Sequence, residues 1–243
     1  MSLLSLPTEL VLQISDSLEA FELYSLLQCN RRLANILTSI FCNLVLSDPN
    51  TLGKRAFQLA AKSSDIEMVK SLVAIGLPTH ILNGHHVGYI CPSLTPTEIN
   101  TLLSVDHFSV DARDTLGRTP LYIAAENNPA AVRCLLAHGA DPNAVSDATQ
   151  TPLMHAAKHG ASAVIQLLLE NKLTDVNLHD PEGCTALYLA VDRGFVDSLV
   201  ALLKHPGINV KLSPPRKSAC TLAWRRGPYS LFRILVERAN MVS

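Results

Sequence analysis

The chain has 243 residues, of which 48% are hydrophobic, 17% charged and 5% aromatic. So apolar a composition excludes a largely disordered protein, and abundant Leu and Ala with few aromatic side chains favour helices over sheets. The formal net charge is −1, so the chain lacks the overall positive charge that would predict a nucleic-acid or membrane partner.

The cysteine pattern and the N-terminus indicate the compartment. The six cysteines are widely scattered and form no Cys-x-x-Cys pair, so we expect no disulfide framework. Residues 1–6 lack a basic region and are followed directly by Pro7 and then by Glu9, which is unlike a signal peptide. No uncharged apolar run approaches membrane-spanning length. These features predict a soluble intracellular protein, cytoplasmic and/or nuclear.

Three short amphipathic helices are predicted within residues 1–45, followed by a linker at 46–54. Their apolar residues recur at the spacing of one helix face. These residues are Leu10, Ile14 and Leu18 in the first helix, Leu23, Leu26 and Leu27 in the second, and Leu33, Ile36, Leu37 and Ile40 in the third. A piece of this size can barely bury enough surface to be stable alone, so we expect it to pack against something else.

The same segment resembles an F-box, whose pattern is Leu-Pro-x-Glu-Leu, then Ile, then an acidic residue with Leu, then a helix opening with Arg-Arg. The matching residues are Leu6, Pro7, Glu9, Leu10, Ile14, Leu18, Glu22, Leu23, Leu26, Arg31 and Arg32. An aromatic residue common in the third helix is replaced by Leu33. The resemblance implies docking on a Skp-type adaptor, and through it on a cullin–RING ubiquitin ligase. The adaptor-binding residues would be Leu6, Pro7, Leu10, Ile14, Leu18, Leu23, Leu26, Leu27 and Leu33.

A second interpretation of these helices stays open. A solenoid needs a cap on its first repeat, and three apolar helices could serve as that cap. The two roles are compatible, since one face could pack on the first repeat and the other on an adaptor.

An internal repeat occupies residues 55–243. Three copies align directly, namely Thr119-Pro-Leu-Tyr-Ile-Ala-Ala, Thr151-Pro-Leu-Met-His-Ala-Ala and Thr185-Ala-Leu-Tyr-Leu-Ala-Val. Each is followed by an apolar helix, and weaker copies extend the pattern in both directions. The six copies begin near residues 55, 85, 119, 151, 185 and 218. The predicted core residues are Leu121, Val132, Leu135 and Leu136, then Leu153, Ile165, Leu168 and Leu169, then Leu187, Leu199, Leu202 and Leu203.

This pattern resembles the ankyrin repeat, whose signature is Thr-Pro-Leu-His-x-Ala-Ala at a period of about 33 residues. Thr119 and Thr151 suit a helix N-cap, and the prolines after them suit the first helical position. Gly139 and Gly76 suit a left-handed helix end. The predicted fold class is all-α, a three-helix N-terminal segment joined to a solenoid of about six helix-turn-helix repeats. Pro92 and Pro96 interrupt the second copy, where we expect a short or distorted inner helix.

The ankyrin resemblance implies target binding through the loop tips and the exposed side of the inner helices. Carried over residue by residue, it assigns Asp114, Arg118, Glu126, Asn127, Lys158, His159, Asp192, Arg193, Arg216, Lys217, Arg225 and Arg226 to target binding. From Lys204 onward eight basic residues accompany one acidic residue, Glu237. This basic end is either a solvated cap or a pocket for an acidic or phosphorylated target.

No catalytic motif or cofactor signature is present, so we expect a protein that is not an enzyme and carries no cofactor. His85, His86, Cys91 and His107 lie close in sequence, but their spacing fits no zinc pattern, and no metal is predicted. The leading hypothesis is the substrate receptor of an SCF-type ubiquitin ligase, monomeric outside that complex. The alternative is a plain ankyrin scaffold or inhibitor whose N-terminal helices only cap the solenoid.

Overall fold

The computed structural model describes residues 66–74, 95–104 and 109–211, together with isolated helical residues elsewhere. The isolated residues are Phe41, Val45, Ala56, Ala60, Ala219, Leu222, Ala223, Arg233, Leu235 and Val236. The helices are α1 Ile66–Ala74, α2 Pro96–Leu103, α3 Pro120–Ala124, α4 Pro129–Ala137, α5 Pro152–His159, α6 Ser162–Glu170, α7 Ala186–Arg193 and α8 Val196–Leu203.

The chain divides into two compact units. One comprises Met1–His86 and Asn100–Phe108, and the other comprises Val87–Ile99 and Ser109–Ser243. The six helices α3 to α8 belong to the second unit. The predicted boundaries at 1–45, 46–54 and 55–243 remain predictions.

Helices α3 to α8 form three helix pairs stacked in two layers. The inner helices α3, α5 and α7 pack side by side, and the outer helices α4, α6 and α8 do the same behind them. Within residues 109–211 the extended structure is a single isolated bridge, His179 to Thr185. The predicted all-α repeat fold is therefore confirmed.

Each inner helix begins at a threonine whose hydroxyl satisfies a free backbone N–H. The Oγ1 atoms of Thr119, Thr151 and Thr185 accept hydrogen bonds of 3.2 Å from the backbone N–H three residues later. Pro120 and Pro152 follow at a position whose N–H has no partner in a helix. All three threonines are buried, so replacing one with alanine would remove a cap that water cannot replace. The predicted N-caps at Thr119 and Thr151 are confirmed.

The core lies between the two layers and is built from leucine, isoleucine, valine and alanine. Ten of the twelve predicted core residues are buried. Leu136 and Leu169 are corrections, because each is half-buried. They lie about 100° around the helix from the fully buried Leu135 and Leu168, and so at the edge of the apolar stripe. Leu203, at the same position of the next repeat, is buried.

The structure corrects the Pro96 part of the proline prediction for the second copy. Pro96 does not interrupt an element but is the first residue of α2, where its missing N–H costs nothing. The inner helix expected from residue 85 lies outside the described residues. The outer helix of the first copy is α1, as its sequence pattern predicts.

A ladder of Asx side chains, each in the loop that follows an outer helix, joins successive repeats. Asn143 Oδ1 accepts the backbone N–H of Asp175 at 2.8 Å, and its Nδ2 donates to the Leu173 carbonyl at 2.7 Å. Asn177 makes the same two bonds one repeat further on, to residues 209 and 207. Asp111 occupies the equivalent position but has no N–H to donate, so it only accepts from the backbone N–H of Asp141.

Candidate protein-binding surface

The loop before each inner helix is organised by one buried polar residue. The Asp114 carboxylate accepts the backbone N–H groups of Leu116 and Arg118 at 2.9 and 2.8 Å and the Arg118 Nε–H at 2.8 Å. Ser146 and Asp180 hold the next two loops in the same way. Burial opposes ionisation of Asp114, but the hydrogen bonds from Arg118 and Leu116 outweigh it and lower the pKa of this carboxyl below its usual range.

This arrangement decides what two of the predicted target-binding residues can do. The Asp114 side chain is 1% exposed, so it holds the loop and does not present its carboxylate to a partner. The Arg118 side chain is 35% exposed and lies 2.7 Å from that carboxylate. It therefore reaches the surface with its charge already partly compensated.

The first two of these loops are joined to each other by hydrogen bonds, which hold their tips side by side. The Asp147 N–H donates to the Leu116 carbonyl at 3.0 Å, and Arg113 Nη1 donates to the Val145 carbonyl at 2.6 Å. The Leu116 side chain is 54% exposed at one tip. These two tips therefore hold one position relative to each other, and the first of them exposes an apolar side chain.

Loop conformation depends on left-handed residues at the turn. Gly117 and Gly183 have φ of 66° and 80°, and Thr149 takes φ of 56° at the equivalent position of the middle loop. A Cβ at Gly117 would lie 2.1 Å from Asp147 Oδ1 and 2.9 Å from its backbone nitrogen. Glycine is therefore required there both by φ and by the neighbouring loop.

The ends of the inner helices bring six predicted target-binding residues onto one surface. We call this surface the inner-helix face and define it by α3, α5 and α7 and the residues that end them. Glu126, Asn127, His159 and Arg193 are exposed, and Lys158 and Asp192 are half-buried. Two contacts cross or line this face, His159 Nδ1 to Glu126 Oε1 at 3.8 Å and Arg193 Nε to Asp192 Oδ2 at 4.0 Å.

Sequence reasoning missed the ring cluster at the centre of this face. The His155 ring lies between Tyr122, with centroids 4.2 Å apart, and His159, with centroids 4.5 Å apart. Burial, and then the positive charges of His159, Lys158 and Arg118, lower the pKa of His155 to about 4. A signal was available, since an otherwise aliphatic position of the repeat holds histidine.

The remaining predicted site residues lie outside the described residues. These are the adaptor-binding set from Leu6 to Leu33 and the basic pairs Arg216, Lys217, Arg225 and Arg226. The His85, His86, Cys91 and His107 group lies outside them too. Within residues 66–74, 95–104 and 109–211, no three His, Cys, Asp or Glu side chains are placed to hold a metal ion. No helix in that part of the chain is long and apolar enough to cross a membrane.

Comparison with known proteins identifies the repeat. The family described as ankyrin repeats (3 copies) matches residues 26–146, 93–180 and 128–214, and no F-box family matches. The chain therefore belongs to the ankyrin-repeat family, a class of proteins that bind other proteins.

Curated relatives share the repeat region. An ankyrin repeat and KH domain-containing protein of Caenorhabditis briggsae is 32% identical over 147 residues, which is 59% of this chain and 6% of that protein. A B-cell lymphoma 3 protein homolog of Mus musculus is 32% identical over 111 residues, 44% of this chain and 25% of that protein. The human transient receptor potential cation channel subfamily A member 1 is 37% identical over 92 residues, 37% of this chain and 8% of the channel. The chain thus spans a quarter or less of these relatives.

Proposed function

We propose that this protein is a target-binding adaptor whose inner-helix face and loop tips select one partner protein. The observation that carries the proposal is the contrast between framework and surface. Equivalent positions of successive repeats keep the same caps and core, whereas the helix ends change from Glu126 to Lys158 to Asp192. A fixed framework that displays varying side chains suits recognition of a particular partner.

The finer proposal is that residues 1–45 dock on a Skp-type adaptor, which makes the chain the substrate receptor of an SCF-type ubiquitin ligase. Its support is the Leu6-Pro7-Thr8-Glu9-Leu10 start and the leucine spacing that follows. The chain itself would then make and break no bond. It would raise the local concentration of target lysines near a ubiquitin-carrying enzyme. An acidic or phosphorylated target fits the basic C-terminal end.

A second candidate is an ankyrin scaffold or inhibitor whose N-terminal helices cap the solenoid. One finding favours it, because the ankyrin match begins at residue 26 and so overlaps the segment that resembles an F-box. Under this proposal Leu26, Leu27 and Leu33 pack on the repeats and no ubiquitin ligase is recruited.

Co-expression with a Skp-type adaptor and affinity capture separates the two candidates. The wild type is compared with a Pro7→Ala, Leu10→Asp, Ile14→Asp variant and with Leu116→Asp, a matched change at an exposed leucine in the repeats. The receptor proposal expects capture by the wild type and Leu116→Asp but not by the triple variant, with helical circular dichroism unchanged. Failure of the wild type to capture the adaptor refutes it. Loss of helicity in the triple variant identifies the segment as a cap.

A further inference from the structure

One inner-helix position departs from the apolar pattern of its neighbours. Ile123 in α3 and Leu189 in α7 are buried aliphatic residues, and the same position of α5 holds His155. The Nδ1 atom of this histidine is enclosed and has no hydrogen-bond partner among the described residues. A buried polar atom without a partner destabilises the fold, and leucine at this position would avoid that cost. Packing alone therefore gives no reason for histidine here.

The surroundings of His155 indicate what the imidazole offers to a partner. Because its pKa is lowered to about 4, the ring is neutral at neutral pH and carries one N–H. Nδ1 is enclosed without an acceptor, so we assign this proton to Nε2. The half-exposed ring thus presents a hydrogen-bond donor between the rings of Tyr122 and His159.

The electrostatic surroundings define the complementary group. The charged groups that act on His155 are His159, Lys158 and Arg118, all of them basic. Lys158 is half-buried and forms no ion pair within residues 109–211. The other two groups already face a carboxylate, since His159 lies 3.8 Å from Glu126 and Arg118 lies 2.7 Å from Asp114. A donor beside the uncompensated charge of Lys158 is complementary to an anionic acceptor.

We propose that His155 and Lys158 form the subsite of the inner-helix face that receives an acidic side chain of the target. His155 Nε2–H donates to the carboxylate, and the Lys158 ammonium supplies the opposite charge. His159, held by Glu126, forms one wall and the Tyr122 ring the other. The proposal rests on the target-binding function above. It adds that the target carries an acidic side chain and that His155 and Lys158 bind it.

The repeat supplies a substitution that removes the donor without harming the fold. His155→Leu installs the leucine found at position 189, where position 123 holds the similarly aliphatic isoleucine, so we expect the melting temperature to stay equal or rise. A histidine kept only for packing would leave peptide binding unchanged in this variant. Retained stability together with lost binding is an outcome that a purely structural role does not produce.

The test uses the full chain and a fluorescein-labelled hexaglutamate peptide at low salt, followed by fluorescence anisotropy, with hexalysine as the charge-reversed probe. We expect hexaglutamate to bind and hexalysine not to bind. Affinity should fall about tenfold in His155→Leu and in Lys158→Ala, the loss typical of one charge-assisted hydrogen bond. Lys172→Ala, an exposed lysine between repeats, removes the same charge and should leave affinity within about twofold.

Four results overturn the proposal. They are absence of hexaglutamate binding, unchanged binding in His155→Leu, equal loss in Lys172→Ala and Lys158→Ala, and loss confined to an Arg225→Ala, Arg226→Ala variant, which would assign anion binding to the C-terminal end. None of these results bears on capture of the Skp-type adaptor, which is measured separately. Failure of this subsite is therefore distinguishable from failure of the receptor proposal.

Discussion

The loop before α5 contains Thr149, whose backbone conformation is expected to destabilise the fold. Thr149 has φ of 56°, and among the described residues it is the one non-glycine with positive φ. The corresponding residues of the flanking loops are Gly117 and Gly183, also with positive φ. Thr149→Gly should therefore relieve strain without altering the loop.

The magnitude follows from two opposing effects. The left-handed conformation costs an L-residue about 1–2 kcal/mol, which glycine avoids. Glycine loses roughly 0.5–1 kcal/mol more backbone entropy on folding. The hydrogen bond from Thr149 Oγ1 to the Ala148 carbonyl is exposed, so water can replace it at little cost. The net expectation is a gain of about 0.5–1 kcal/mol in the free energy of unfolding, or about 2 °C in melting temperature.

The assay is thermal and urea unfolding of the full chain followed by circular dichroism. Ala148→Gly is the matched control, because it adds the same chain flexibility at a residue without positive φ and should not stabilise. Thr149→Asn gives a second test, since asparagine tolerates the left-handed region without glycine's entropy cost. A Thr149→Gly variant that is no more stable than the wild type, or a gain of equal size in Ala148→Gly, refutes the strain argument.

Three further predictions rest on the loops, the ladder and the ring cluster. Gly117→Ala should cost more than Gly139→Ala in urea unfolding, by about 1 kcal/mol or more, because both have positive φ but only Gly117 faces a neighbouring loop within 3 Å. Asp111→Asn adds a side-chain N–H donor to the ladder and should raise the free energy of unfolding by about 1 kcal/mol. Asn143→Asp removes such a donor and should lower it by about the same amount. Changes of the same sign in the two variants would contradict the role given to the ladder. The pKa of His155 is about 4 when folded against an ordinary 6.5, so protonation favours unfolding, and stability should fall as pH drops from about 6.5 to 4. We expect a loss on the order of 1 kcal/mol, allowing for partial exposure, and urea titrations across that range should show it reduced in His155→Leu.

Repetition made most of the fold predictable from sequence. The Thr-Pro-Leu motif at 119 and 151 fixed the helix starts, because capping and the missing proline N–H act within a few residues. The leucine stripes likewise marked the core. Leu136 and Leu169 were misjudged because periodicity gives the direction of a side chain but not the edge of the layer that covers it.

The candidate surface was less predictable than the fold. Aligning the repeats located the helix ends at 126, 158 and 192, but could not tell that Asp114 is enclosed by its own loop. That enclosure arises from hydrogen bonds with Arg118 and Leu116 that the alignment does not contain. His155 was overlooked because its departure is visible only against the equivalent residues of the adjacent repeats.

The sequence by itself determined the repeat, its period, the helix caps and the apolar faces, since these depend on residues close together in the chain. The tertiary structure alone decided which residues meet across repeats. It packs His155 against Tyr122, joins the Leu116 carbonyl to the Asp147 N–H, and brings the Asp111 carboxylate to the Asp141 N–H. These contacts connect neighbouring repeats, and their geometry depends on how one repeat is placed on the next.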